Sequence, residues 1–168
     1  AGSETDNPYF NVNRNINTQK TNRLITNLGF VLTPFTWGSL KTNIGIDGYT
    51  SEYQVLRHPE SAFAVANNGI LDLATDVVRN INMQSVFNVE RRQLWGDFSI
   101  TGLIGNQVSD FSSNTNGLKG TNFLDPNFVS MNNTSTRQNR TVIARRRLIS
   151  MFGSATLDYK NYAYVTVT

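Results

Sequence analysis

The chain has 168 residues, enough for one ordinary domain with a sizeable core, yet only 16% of them are charged, against roughly 25% in a typical soluble domain. Its 22 Asn residues, with abundant Ser and Thr, favour turns, loops and neutral polar surfaces over helices. A net charge of +3 without a dense Lys/Arg stripe excludes a nucleic-acid binder, the lack of Cys excludes disulfides and thiolate metal sites, and no run of 18 apolar residues marks a transmembrane helix, although barrel strands carry only an alternating signal.

Residues 1–20 are polar and rich in Asn, with Pro8 early, and read as a loop or the ragged top of a strand. From Thr21 the chain alternates. Leu24, Leu28, Phe30 and Leu32 share one face and Arg23, Asn27 and Gly29 the other, with Ile25 and Val31 interrupting the polar side. Residues 33–38 read as a short turn whose Phe35 and Trp37 suit an aromatic girdle at a membrane interface. Leu40, Thr42, Ile44 and Ile46 then lie opposite Lys41, Asn43, Gly45 and Asp47, in a strand that reaches about Arg57.

Residues 58–80 read as a long connection, in which Ile70, Leu73, Ala74 and Val77 have the spacing of a short helix. Ile81, Met83, Ser85, Phe87 and Val89 alternate with Asn82, Gln84, Asn88 and Glu90, interrupted by Val86. A turn over residues 91–97 carries Trp95. Phe98, Ile100, Gly102 and Ile104 follow, opposite Ser99, Thr101, Gly105 and Gln107. Residues 109–141 are long, polar and Asn/Ser/Gly-rich, and read as a partly mobile loop. Arg145, Arg146 and Arg147 suit either a solvated strand end or the phosphates of anionic lipid head groups and lipopolysaccharide.

The last stretch, RRLISMFGSATLDYKNYAYVTVT from Arg146 to Thr168, is the clearest hairpin. Ile149, Met151, Gly153, Ala155 and Leu157 alternate with polar residues, Phe152 excepted, and Tyr159-Lys160-Asn161 supplies the turn. Connections thus alternate short, long, short, long, short. About six antiparallel strands, each with an apolar core of roughly 9 residues, give the up-and-down pattern of an outer-membrane barrel.

The residues FGSATLDYKNY, with the alternating Tyr-Val-Thr-Val-Thr ending, resemble a barrel segment of the SusC/RagA-like TonB-dependent outer-membrane transporters of Bacteroidota. Asn7-Pro8-Tyr9-Phe10, Asn13-Arg14-Asn15, Asn22-Arg23-Leu24-Ile25, Leu40 to Tyr49 and Ser51-Glu52-Tyr53 resemble that family's passage from loop to strand. The resemblance runs over nearly the whole chain and implies that residues 1–168 are a middle slice, one arc of a 22-stranded transmembrane β-barrel, stopping just short of a Gly-Arg-like continuation. It implies a location in the cell outer membrane and partners outside this segment: the rest of the barrel and its plug, TonB, a SusD-like surface lipoprotein, lipopolysaccharide, and a glycan or peptide substrate. It implies no cofactor. A soluble or surface-attached β-sandwich binding module is the alternative that the composition allows.

No catalytic motif accompanies this pattern. His58 is the only histidine, sits before Pro59 and has no Gly-x-Ser-x-Gly partner, so a structural role is expected of it. Asp47 and Glu90 are the two carboxylates that a shared lumen would bring nearest to a glycosidase-like pair, and nothing selects them. What remains is a binding surface. Arg23, Asn27, Lys41, Asn43, Asp47, Gln84, Asn88 and Glu90 are the candidate lumen-facing residues, offering mixed donors and acceptors. Tyr49 and Tyr53 at the base of a loop offer flat faces for stacking on sugars or peptide side chains.

Overall fold

The computed structural model describes residues 5–168. The order of elements is one helix, α1 (Pro8–Arg14), and six strands: β1 (Ile16–Phe35), β2 (Gly38–Arg57), β3 (Ile70–Trp95), β4 (Phe98–Phe123), β5 (Thr134–Tyr159) and β6 (Ala163–Val167). The strands form one antiparallel sheet in the order β1-β2-β3-β4-β5-β6. The fold is all-β and up-and-down. A sandwich needs two packed sheets, and the described residues form one.

Two compact units divide the strands across their length. One comprises the chain through Arg23 with Tyr49–Val78 and Ser113–Ala144; the other comprises Leu24–Gly48, Arg79–Ser112 and Arg145–Thr168.

The second unit holds the tight turns. Only Thr36 and Trp37 separate β1 from β2, and Gly96 and Asp97 separate β3 from β4. Two-residue hairpins favour primed turns, whose twist matches the strands but demands positive φ. Gly96 has φ +63, which glycine adopts without a Cβ clash. In the β5–β6 turn Lys160 and Asn161 have φ +55 and +56, so a lysine is held where side chains are disfavoured. Its neighbour holds it there: the Lys160 N–H donates to the Asp97 carbonyl at 3.0 Å and its Nζ reaches the Asp97 carboxylate at 2.9 Å. Aromatic rings gather at these turns. Phe35 stacks on Trp37 at 4.8 Å, Trp37 meets Phe87 edge-on at 6.4 Å, and Phe98 tilts against Tyr159 at 4.9 Å.

The first unit holds the longer connections, and here the structure corrects the sequence reading. The expected loop over 1–20 contains α1, which starts at Pro8 behind the Asn7 cap (its side chain accepts the Tyr9 N–H at 2.9 Å), and β1 begins already at Ile16. Residues 1–4 of that expectation lie outside the described residues. No helix forms over 70–77. β3 starts at Ile70, directly after Asn68 and Gly69 in left-handed conformations, and Leu71, buried to 2% exposure, joins Leu56 and Phe123 in a small core with Leu73 against it. Leu71 and Leu73 obey a period of 2, and burial at that period outweighed the helical spacing of their neighbours.

Nor is 109–141 a loop. β4 runs to Phe123 and β5 starts at Thr134, leaving ten residues between. Those ten are held by Asn133, whose Nδ2 donates to the Asp125 and Phe128 carbonyls at 2.6 Å each while its Oδ1 accepts the Asp125 N–H at 3.0 Å. Neutral polar strands are stable where a neighbour supplies backbone bonds and side-chain pairs: Thr141 donates to Asn116 at 3.1 Å and Asn122 to Thr136 at 3.0 Å. Strand length therefore exceeds the apolar core of about 9 residues, reaching 20 in β1 and β2 and 26 in β3, β4 and β5.

Candidate functional site

Cross-strand contacts fix which positions share a face. In the second unit Asn27 of β1 lies over Gly45 of β2, where a Cβ would stand 2.8 Å from its Oδ1. Asn43 of β2 lies over Gly29 of β1 in the same way, at 2.9 Å. The two candidate asparagines thus interlock across one pair of strands, each occupying the space that a glycine leaves open. On the alternate face of the same strands Thr42 donates to Ser85 of β3 at 3.0 Å, and Gly38 approaches the Phe87 ring. These contacts support the alternation assigned from sequence: Asn27, Lys41, Asn43 and Asp47 take one phase, and Thr42, Ser85 and Phe87 the other.

The remaining candidates fall into separate places. Lys41, Gln84 and Asn88 are exposed on β2 and β3. Glu90 lies near the tight turns, where it pairs with Arg92 at 3.2 Å in a fully hydrated setting, and it lines a pocket of about 740 Å³ with Asp97, Asp158 and Lys160. Asp47 and Glu90 lie at different places along the unit, and among the described residues no group of three or more His, Asp or Glu is placed to hold a metal. Arg23 and Asp47 are each engaged in a polar or ionic interaction. Tyr49 is half-buried on β2.

Tyr53 also reaches a concave site. In the first unit it lines an open pocket of about 810 Å³ with Lys20, Glu52, Gln54, Asn116, Asn139 and Arg140 among its walls. Its hydroxyl accepts a bond from Gln19 Nε2 at 3.2 Å, which fixes the ring's outer end. The pocket offers a cation on β1, a carboxylate on β2, amides on β4 and β5 and a guanidinium on β5. Such a set can hold a ligand carrying both charges and amide or hydroxyl groups. Sequence reading missed Lys20, Asn116, Asn139 and Arg140 because their segments were taken as loops. The available signal was in pairs such as Asn116 and Thr141, complementary across strands once the register is known.

His58 takes a structural place. It is 4% exposed, its backbone N–H donates to Asn15 Oδ1 at 2.9 Å, and its ring meets the edge of Phe10 at 5.7 Å. Nearby, the Asp6 carboxylate accepts the Ser61 hydroxyl at 2.5 Å, the Ala62 N–H at 2.7 Å and the Asn15 amide at 3.1 Å. The Ser61 hydroxyl first, then the Ala62 N–H and the Asn15 amide, hold the Asp6 carboxyl below the usual carboxylate range, against a smaller opposing effect of burial.

The sequence matches no protein-family model and no curated protein. Solved structures do resemble it. A chain in the structure of the RagAB peptide transporter superposes with a TM-score of 0.78 at 14% identity. Chains of the RagAB peptide importer in its open-open and closed-closed states superpose with TM-scores of 0.71 and 0.70, at 16% and 15% identity. Each match covers 95% of this chain and 18% of the other, so the chain spans under a fifth of the length of the proteins it resembles. At such identities the likeness establishes fold, and this chain has the fold of a segment of those transporter chains.

Proposed function

We propose that the chain forms part of the wall of an outer-membrane transporter, a SusC/RagA-like TonB-dependent receptor that imports peptide or glycan nutrients with a SusD-like lipoprotein. The observation that carries this reading is the apolar phase of the sheet. On β5, Ile149 and Met151 are 67% and 84% exposed, and on β1 Leu28 and Leu32 are 64% and 56% exposed. Regular rows of exposed aliphatic side chains are a liability in water and the normal outer surface of a barrel in lipid. The resemblance to transporter chains supports the same reading. The opposite phase, with Asn27, Asn43 and their neighbours, would face the lumen. The pocket holding Tyr53, Lys20, Glu52 and Arg140 is the substrate-contacting candidate.

Uptake of labelled peptides and labelled oligosaccharides by cells with and without the gene tests the proposal. Loss of either, restored when the gene is returned, supports it. Unchanged uptake of both, with the protein absent from purified outer membranes, overturns it.

A further inference from the structure

We infer that Arg79, Arg145 and Arg147 form a binding site for a phosphate group of an outer-leaflet lipid, the phosphorylated glucosamine head of lipopolysaccharide. The inference rests on the membrane reading above. Arg79 of β3, Asp110 and Ser112 of β4 and Arg145 to Arg147 of β5 line one pocket of about 420 Å³ within the second unit.

The faces follow from contacts. Gly102 of β4 stands against Ala155 of β5, and Gly153 against Ile104. Moving two residues along one antiparallel strand moves two back along its neighbour and keeps the face. Arg147 and Asp110 follow from that register. They meet directly, with Arg147 Nε and Nη2 on the same Asp110 oxygen at 2.6 and 2.5 Å. One step further, Ser112 lies opposite Arg145. Arg146, between Arg145 and Arg147, lines the same pocket.

The cluster sits at a particular level. On β3, Arg79 is the next same-face position before Ile81, Met83, Ser85, Phe87 and Val89. On β5, Arg147 is the next before Ile149, Met151, Gly153, Ala155 and Leu157. On β4, Asp110 is the next after Val108, with Phe98, Ile100, Gly102 and Ile104 further on. Three neighbouring strands thus change from apolar to charged at one boundary, at the end of the apolar run away from the tight turns. The stretch from Phe98 to Val108, apolar on this face apart from Asn106, has the length of a strand crossing the hydrocarbon layer, about 9–11 residues. In barrels the short turns are periplasmic, so this boundary meets the outer leaflet.

The charge is unbalanced. Four guanidiniums line the pocket beside one carboxylate, and among the described residues Asp110 pairs with Arg147 alone while Arg79 and Arg145 form no ion pair. Asp110 holds the Arg147 fork in place. Arg79, Arg145 and Ser112 line the same pocket, and planar guanidiniums match phosphate oxygens in two-pronged fashion. A glycan or neutral lipid would leave this charge uncompensated at a low-dielectric boundary. A phosphate monoester neutralises it, and acyl chains then lie along the Ile149 and Met151 row.

The test uses the intact protein purified in neutral detergent, with native mass spectrometry to count bound lipid. Diphosphorylated lipid A should be retained, and lipid A stripped of phosphate should bind about tenfold more weakly. Arg79→Ala/Arg145→Ala should lose retention by a similar factor. Arg91→Ala, near the tight turns and outside this pocket, should keep it. Equal binding of both lipid forms, or equal loss in Arg91→Ala, overturns the site. Inorganic phosphate displacing lipid A at comparable concentration would make it a free-anion site and overturn the lipid assignment. Membrane fractionation of the same cells separates the two proposals: a protein found in the outer membrane that retains no phosphorylated lipid sinks this inference alone.

Discussion

The ring of Phe152 lies over Gly105: a Cβ at Gly105 would stand 2.5 Å from the Phe152 Cζ and 3.0 Å from the Ser85 carbonyl oxygen. Phe152 is a large apolar residue set between Ser150 and Ser154 on the polar phase of its hairpin, and the missing side chain across the strand is what accommodates it. An aromatic ring covering a cross-strand glycine shields the backbone there. Gly105→Ala should therefore destabilise the protein by about 1–3 kcal/mol, as overpacking does. Adding Phe152→Leu should recover part of the loss, because the two sites are in contact. Unfolding midpoints of the two single variants and the double variant measure the coupling, and strict additivity would show that ring and glycine do not depend on each other.

Asp6 gives a pH prediction with a definite sign. Its carboxyl is held below the ordinary value of 3.8 by Ser61, Ala62 and Asn15. A depressed folded-state pKa means that the contacts contribute stability above the unfolded value and lose it as pH falls through the folded one. The loop from His58 to Gly69 should stay protected from exchange at neutral pH and open as pH drops below about 4. Asp6→Asn should show the same opening at pH 7. Hydrogen exchange of Ala62 and Phe63 across that range checks it, and pH-independent protection of both in the wild type would count against the latch.

The apolar phase predicts lipid contact. Spin labels at Leu28, Phe30, Ile44, Ile46, Phe87, Ile100 and Leu157 should report a hydrocarbon environment in reconstituted bilayers. Labels at Asn27, Asn43, Gln84 and Asn88 should report water. Replacing Ile100 by Arg should cost about 2–4 kcal/mol if it lies near the midplane. Water contact at most of the first set would reverse the faces.

The connection between β4 and β5 should be external and held by one side chain. Asn133 makes three bonds inside it and is buried. Asn133→Ala leaves the Asp125 N–H and two carbonyls without that partner, at a cost of about 1–3 kcal/mol. Protease added to intact cells should then cut residues 124–133 faster than in the wild type, and Lys160 at the opposite turns should stay inaccessible. Cleavage only from the periplasmic side would invert the orientation.

Expressed alone, residues 1–168 should not give a monomeric barrel. Among the described residues β1 and β6 end the sheet, and β6 pairs only Ala163–Val167 with β5. The rest of the outer edge of β5 therefore has no neighbour, and an unpaired backbone group in lipid costs several kcal/mol. Refolding in detergent should give aggregates or edge-paired oligomers. A monodisperse monomer with heat-modifiable gel mobility would show a self-sufficient domain.

Local periodicity determined much of this protein. The alternation of Leu40 to Asp47, Ile81 to Glu90 and Ile149 to Leu157 specified strands, faces and hairpin order, because side chains alternate at a period of 2 whatever lies beyond. Asn161 and Gly96 marked their turns because few residues accept positive φ. Tertiary structure alone decided where strands stop. Thr141 and Asn116, or Asn122 and Thr136, carry no apolar pattern, and their strands exist because neighbours supply the backbone and hydroxyl partners. The same holds for sites. Asn27 and Asn43 were legible as polar-face residues, but only the register sets each over a glycine. Lys20, Tyr53 and Arg140 line one pocket, and Arg79, Asp110 and Arg147 another, because the sheet assembles residues distant in sequence, which local pattern cannot encode.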